Sequence, residues 1–261
     1  MIKIKDKFRQ LQKLNKKAFI AYVPFGFPHP SLSRDIFLTL RDSGVDIIEV
    51  GIPFSDPLAD GPIIQQASNL ALKNGANLPL FFDEFNKIKD TVDIPVAVMS
   101  YYNPIYRFGL KKFIKKIKEI NIEALMLVDL PLEEAEEYKK SCAEAGIDTI
   151  FFITPTTSVE RVKRIASLTE GFIYYISVTG ITGPKNLQLQ NLARKIREIK
   201  RITSTPVCVG FGIHTKKQVK SIGRFSDGVV VGSEIVKFIA ENYKKKNFLK
   251  TLHKHIKTLI P

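Results

Sequence analysis

The sequence has little of what would staple, anchor or chelate a protein. Its two cysteines, Cys142 and Cys208, lie far apart and form no CxxC pair. They make neither a disulfide framework nor a zinc site, and they fit a reducing cytoplasm. No apolar run approaches the ~18–20 residues that a membrane helix needs, so no membrane role is expected. The opening residues Met1-Ile2-Lys3-Ile4-Lys5-Asp6-Lys7 lead into no apolar stretch, so no signal peptide is expected. There is no HExxH, Walker A, nucleophile elbow or long dinucleotide fingerprint, and no helix-turn-helix, zinc-finger or RNP pattern. The histidines assemble no site. His253 and His255, two apart on a helix, face different ways, and His29 and His214 read as loop residues. A metal is not expected.

What is present is an ordinary globular composition, with 44% hydrophobic and 25% charged residues in 261. That length suits one α/β barrel spanning residues 1–261 and buries a core without covalent help. The net charge of +14 raises the question of nucleic acid. The lysines, however, sit at helical spacing beside apolar positions. In Lys111-Lys112-Phe113-Ile114-Lys115-Lys116-Ile117-Lys118 the apolar stripe is Phe113, Ile114 and Ile117, and the lysines flank it. Such a pattern is the solvated outside of a surface helix, and no nucleic-acid partner is expected.

No Gly/Ser linker or low-complexity block divides the chain. Short β-type runs alternate with helical-period segments instead. The strands are expected at Ala18–Phe25, Asp46–Pro53, Ile94–Tyr102, Ile122–Pro131, Asp148–Pro155, Phe172–Thr179, Thr205–Gly212 and Asp227–Gly232. Helices between them include Ser31–Ser43, Pro62–Lys73, Lys111–Ile120, Glu133–Ala145, Val159–Leu168, Leu187–Lys200, Lys216–Ile222 and Glu234–Tyr243. Gly44, Gly75 and Gly146 stand where helices end, and Ser158 and Thr215 where helices begin. Strands joined by helical crossovers form a parallel sheet. About eight such units favour a (β/α)8 TIM barrel, with an extra N-terminal helix (Lys5–Leu14) and an additional C-terminal helix (Asn247–Leu259). An open doubly wound sheet is the competing arrangement. In a barrel the active site lies at the C-terminal strand ends.

Chemistry concentrates on the second strand and the loop after it. In Asp46-Ile47-Ile48-Glu49-Val50-Gly51, Ile48 and Val50 share one face, and Ile47, Glu49 and Gly51 share the face that looks into the barrel. A carboxyl group there is costly to ionise, which suits a proton donor and acceptor near neutrality. A structural Glu paired to a buried Lys or Tyr is the alternative. Just beyond lies Pro53-Phe54-Ser55-Asp56-Pro57-Leu58-Ala59-Asp60-Gly61-Pro62. Asp60 either accepts a hydrogen bond from a substrate N–H at the barrel mouth or caps the helix that opens at Pro62. Two glycine clusters, Gly210-Phe211-Gly212-Ile213 and Gly232-Ser233-Glu234-Ile235, end the last two strands, where barrels often bind phosphate. The small-residue loop Thr179-Gly180-Ile181-Thr182-Gly183-Pro184 fits a lid or a plain flexible connection.

The run Ile48-Glu49-Val50-Gly51-Ile52-Pro53-Phe54-Ser55-Asp56-Pro57-Leu58-Ala59-Asp60-Gly61-Pro62-Ile63-Ile64-Gln65 resembles the signature of tryptophan synthase alpha subunits. The resemblance continues through Met99–Pro104, Val128–Pro131, Thr154–Thr157, Ile173–Gly183, Gly210–Ile213 and Gly232-Ser233, essentially the whole chain. It implies retro-aldol cleavage of indole-3-glycerol phosphate to indole and glyceraldehyde 3-phosphate, without metal or cofactor in this chain. By the same resemblance Glu49 is the catalytic acid/base, and Asp60 is the carboxylate that binds the indole N–H. Tyr174 is the tyrosine near Glu49, and Thr182 is the lid residue that closes onto Asp60. Gly183, Gly212, Gly232 and Ser233 are phosphate-binding positions. Tyr22, Tyr101, Met126 and Phe211 are walls of the indole pocket. Asp56 and Pro57 match the loop that reports substrate binding to a beta subunit, which carries pyridoxal phosphate (PLP) in an alpha2beta2 heterotetramer.

One segment departs from the pattern. Where the family commonly reads Thr-Ala-Gly-Asp-Pro after the first strand, this chain has Pro24-Phe25-Gly26-Phe27-Pro28. The departure leaves the acid/base pair untouched but alters the rim of the active face. It is the one feature favouring a catalytically weak subunit that mainly activates its partner. Another phosphate-binding barrel enzyme would share the glycine clusters but has no reason to carry the loop from Phe54 to Gly61.

Overall fold

A computed structural model of the chain describes residues 3–177, 185–210 and 212–261. Among them are nine strands: β1 (Ala18–Pro24), β2 (Ile47–Gly51), β3 (Val96–Ser100), β4 (Ala124–Leu127), β5 (Asp148–Thr149), β6 (Phe151–Ile153), β7 (Ile173–Ile176), β8 (Val207–Gly210) and β9 (Gly228–Val231). The sheet runs β5-β4-β3-β2-β1-β9-β8-β7-β6. Every pairing is parallel. β5 pairs with β4 and β6 pairs with β7, and only Ile150 separates β5 from β6. One continuous run of chain therefore joins the two ends of the sheet, and the nine strands form the eight staves of a barrel. The parallel arrangement follows from helical crossovers between successive strands.

Twelve α-helices surround it in the described residues: α1 (Ile4–Lys13), α2 (Pro30–Asp42), α3 (Pro62–Lys73), α4 (Leu78–Ile88), α5 (Tyr102–Phe108), α6 (Leu110–Glu119), α7 (Glu136–Ala145), α8 (Val159–Leu168), α9 (Lys185–Ile202), α10 (Lys216–Gly223), α11 (Ser233–Asn242) and α12 (Phe248–Leu259). The expected terminal helices are α1 and α12. None of the described helices is long and apolar enough to cross a membrane. On α6 Phe113, Ile114 and Ile117 are buried while Lys111, Lys112, Lys115 and Lys116 are exposed, so much of the positive charge is a solvated coat.

Local signals work as the residue types dictate. Ser158 accepts the N–H of Arg161 and caps α8. Thr215 and Gln218 form a reciprocal capping box on α10. Gly44, Gly75 and Gly146 follow α2, α3 and α7 with φ of +89, +88 and +67°. His29 also caps, its Nδ1 accepting the N–H of Ser31 at the start of α2.

Two helices exceed the sequence expectations. α4 buries Phe81, Phe82, Phe85 and Ile88, and Asn77 caps it by accepting the Leu80 N–H. α5 starts at Tyr102, inside the run expected to be strand, because the side chain of Asp129 takes the Tyr102 N–H at 2.6 Å. The strands likewise stop short of their apolar runs: β3 ends at Ser100 and β4 at Leu127.

The divergent loop after β1 folds inward. Phe25 and Phe27 are buried, and the Phe25 ring meets Phe81 of α4 edge-on at 5.3 Å. The Gly26 N–H donates to Ser33 Oγ at 2.8 Å, which ties the loop to α2.

Candidate active site

Strand register brings the chemistry to the barrel mouth. Tyr22 of β1 is level with Glu49 of β2, and Glu49 with Ala97 of β3. Across the barrel Phe152 of β6 is level with Tyr174 of β7, their rings 5.2 Å apart. Tyr22, Glu49, Asp60 and Tyr174 line one cavity, together with Met99, Ile176, Gly212, Gly232 and Ser233. Two glycines make this crowding possible. A Cβ on Gly51 would collide with the hydroxyl of Tyr22, and one on Gly210 with the hydroxyl of Tyr174. Gly210, expected among the phosphate glycines, thus makes room for a tyrosine.

Glu49 is 1% exposed, and neither of its carboxyl oxygens has a hydrogen-bond partner among the described residues. The pairing to a buried Lys or Tyr, left open by the sequence, is absent among those residues. Desolvation, reinforced by the charge of Asp60, pushes its pKa up to about 8. Asp60 stands in the loop between β2 and α3. It does not cap α3, whose N-cap is Gly61 with no side-chain bond. Its Oδ2 accepts the Tyr101 hydroxyl at 3.1 Å, and that hydroxyl accepts the Ala59 N–H at 2.9 Å. Gln65 holds the loop from below, donating to the Asp60 carbonyl at 2.9 Å. Burial raises the Asp60 pKa to about 6, with the Tyr101 bond pulling the other way. Burial also raises the pKa values of Tyr22 and Tyr174, and both carboxylates add to it, so these phenols stay neutral.

Two carboxyl groups share one cavity, therefore, with different proton affinities. Near neutrality the deeper one holds its proton and the shallower one is ionised. Such a pair can give a proton at one point and stabilise positive charge at another.

The opposite wall suits an anion. Gly212, with φ +69°, sits in the turn after β8, and Gly232 and Ser233 begin α11 right after β9. β8 and β9 are neighbours in the sheet, so the two turns adjoin. The N-cap of α11, Gly232, makes no side-chain bond, which leaves the first N–H groups of the helix for a ligand.

The structure thus gathers Glu49, Asp60, Tyr22, Tyr101, Tyr174, Gly212, Gly232 and Ser233. Met126 is buried in β4, level with Met99, and it is Met99 that lines the cavity. Asp56 is exposed and Pro57 buried in the mouth loop. Thr182, Gly183 and Phe211 lie outside the described residues. The sequence reading missed Phe152, Met99, Val128, Ile176 and Val230 as lining residues. Period-two alternation could have found two of them, since Ile176 is two residues from Tyr174 and Met99 two from Tyr101. No cluster of metal-ligating side chains occurs among the described residues. His253 meets Ser43 Oγ at 3.1 Å, while His255 stacks on Phe238.

The family profile of the tryptophan synthase alpha chain matches residues 8–259. The chain is 41% identical to the tryptophan synthase alpha chain of Petrotoga mobilis over 260 residues, covering 99% of each. It is 39% identical to that of Citrifermentans bemidjiense, covering 97% of this chain and 94% of the relative. Among solved structures it resembles tryptophan synthase subunit alpha from Legionella pneumophila, with TM-score 0.92, 32% identity and coverage of 99% and 97%. It also resembles the subunit from Campylobacter jejuni, with TM-score 0.87, 37% identity and coverage of 97% and 98%.

Proposed function

Because this chain belongs to the tryptophan synthase alpha chain family, and so is a lyase that cleaves indole-3-glycerol phosphate, we propose that Glu49 and Asp60 divide the reaction between a protonated and an ionised carboxyl. Glu49 starts as the acid and gives its proton to C3 of the indole. The ring nitrogen takes up the positive charge, and Asp60 stabilises it by accepting the indole N–H. The Glu49 carboxylate then takes the proton from the hydroxyl on the glycerol carbon bonded to C3. The oxygen's electron pair forms the aldehyde carbonyl, and the pair of the breaking C–C bond returns to the ring. One proton leaves Glu49 and one comes back, so indole and glyceraldehyde 3-phosphate form with the enzyme restored. Every step uses side chains of this chain, acting as one domain over residues 1–261.

Tyr22, Tyr101, Tyr174, Met99 and Phe211 hold the indole in this reading, Met99 taking the place expected for Met126. Gly183, Gly212, Gly232 and Ser233 hold the phosphate, and Thr182 closes over Asp60. Anchoring the phosphate lets remote binding energy orient the reacting end. The partner is a beta chain, in an alpha2beta2 assembly whose PLP belongs to the beta chain. Asp56 and Pro57 meet it through a mouth loop on which Leu58 is 90% exposed, an apolar side chain suited to a protein surface. The inward fold of Phe25 and Phe27 keeps the divergent loop out of the cavity and supports a catalytic subunit.

The observation that carries this reading is the buried Glu49 carboxyl, unpartnered among the described residues, in the same cavity as an Asp60 oriented by Tyr101. The test is indole release from indole-3-glycerol phosphate, with and without a beta chain. Turnover that the beta chain accelerates is expected, and Asp56→Ala should blunt the acceleration while sparing the basal rate. No turnover with a competent partner would overturn the assignment.

A further inference from the structure

One side chain spans the two turns assigned above to the phosphate. Glu234, in the first turn of α11, has Oε2 3.6 Å from Nδ1 of His214, which lies in the turn after β8 just past Gly212 and Ile213. Its Oε1 lies 3.4 Å from Nε2 of His255 on α12, a close approach without a hydrogen bond among the described residues. His255 lies flat on Phe238, one helical turn along α11 from Glu234, with ring centroids 4.0 Å apart and planes 9° apart. The carboxylate side chain is 23% exposed, so it is held between the elements instead of reaching into solvent. On its other side the turn after β8 is fixed to α10, where Gln218 Oε1 accepts the His214 N–H at 2.9 Å and the Thr215 N–H at 3.0 Å.

A carboxylate next to a site for a phosphate dianion is unfavourable on charge alone. Its geometry gives it a different use. The two turns come from separate loops, and the contact between Glu234 and His214 reaches from one to the other. We propose that Glu234 is a positioning residue. Through His214 and His255 it sets the spacing between the turn after β8 and the N-terminus of α11, and thereby the backbone N–H geometry that receives the substrate phosphate. Glu234 acts through the turns and does not touch substrate. The inference rests on the phosphate reading of Gly212, Gly232 and Ser233.

The test combines steady-state kinetics on indole-3-glycerol phosphate with titration of glycerol 3-phosphate, followed at the backbone amides of Gly212 and Gly232 by NMR. Glu234→Ala is expected to raise KM and the glycerol 3-phosphate Kd by about fivefold while kcat stays within about twofold, since the tie affects binding of the remote group and not the reacting end. His214→Ala should reproduce the effect, and the double variant should be no worse than either single one, because both remove the same tie. Glu234→Gln keeps the size and should keep the fold, with an intermediate effect. Unchanged KM and Kd in all variants, or additive losses in the double variant, would overturn the proposal alone. If glycerol 3-phosphate leaves the Gly212 and Gly232 amides of the unsubstituted chain unmoved, the phosphate reading fails first and the proposal falls with it.

Discussion

Each end of the barrel holds a pair of carboxyl groups, one buried and one half-buried, and the pair at the mouth faces a cavity. At the mouth stand Glu49 and Asp60. At the floor, where strands begin, stand Glu123 just before β4 and Asp148 at the start of β5. Glu123 is 1% exposed, as Glu49 is, and its two oxygens also lack partners among the described residues. Burial raises the pKa values of both floor groups, just as it does at the mouth. The surroundings differ. Asp148 pushes Glu123 up as Asp60 pushes Glu49, but Glu123 also feels the opposing charges of Lys118 and Lys3, whereas Glu49 faces the phenols of Tyr22 and Tyr174. A buried carboxyl with a raised pKa is thus no mark of catalysis by itself. The mark is that carboxyl opening onto a cavity beside a second group of different proton affinity.

The largest effect that separates the two ends is on turnover. Glu49→Gln removes the only group assigned to both proton transfers and should lower kcat by roughly 10³-fold, within the range for a positioned acid or base. Glu123→Gln, equally buried, should leave kcat within about twofold. A comparable loss at Glu123, measured as indole release, would erase the distinction. Next in size, Asp60→Asn keeps the shape but loses the charge that stabilises the cation, and should cost about 10²-fold in kcat.

A pH profile sharpens the mouth pair. Activity needs Asp60 ionised and Glu49 protonated at the outset. The kcat/KM curve should therefore rise through about 6 and fall through about 8, limbs that belong to the coupled pair. Tyr101→Phe removes the bond that lowers the Asp60 pKa, so the acidic limb should move upward while the basic limb stays. A basic limb that moves instead would reassign the two roles.

The sequence made the barrel and most of the mouth readable, for physical reasons. Alternation located β2 and put Glu49 inside, and apolar stripes such as that of α6 placed the helices. The long run from Ile48 to Gln65 carried the family. The sequence could not decide whether Asp60 caps or binds, because that turns on Tyr101, forty-one residues away in sequence. Nor could it show that Gly210 yields space to Tyr174, since that contact joins neighbouring strands whose register is set by the closed sheet. The floor carboxyl Glu123 raised no signal at all. It falls inside the run Ile122–Pro131 expected as a strand, and its burial depends on how the barrel bottom is covered.

The smallest predicted effect is the floor's own signature, and it appears in stability. The folded pKa of Glu123 lies above its ordinary value of 4.5. Its favourable contribution is therefore complete below that value and is lost as pH rises through the folded pKa, where the chain must either ionise a buried group or hold a proton against the solvent. Replacing Glu123 with Met, of similar size, removes both unpartnered oxygens. The substitution should stabilise the fold by about 1 kcal/mol at pH 8, since a buried polar group without a partner costs about that much or more. The gain should shrink toward pH 4, where the wild-type carboxyl is largely neutral in both states. Denaturant unfolding of the two proteins at both pH values reads this directly. A gain independent of pH would mean that Glu123 costs stability through packing, and that the resemblance between floor and mouth ends at burial.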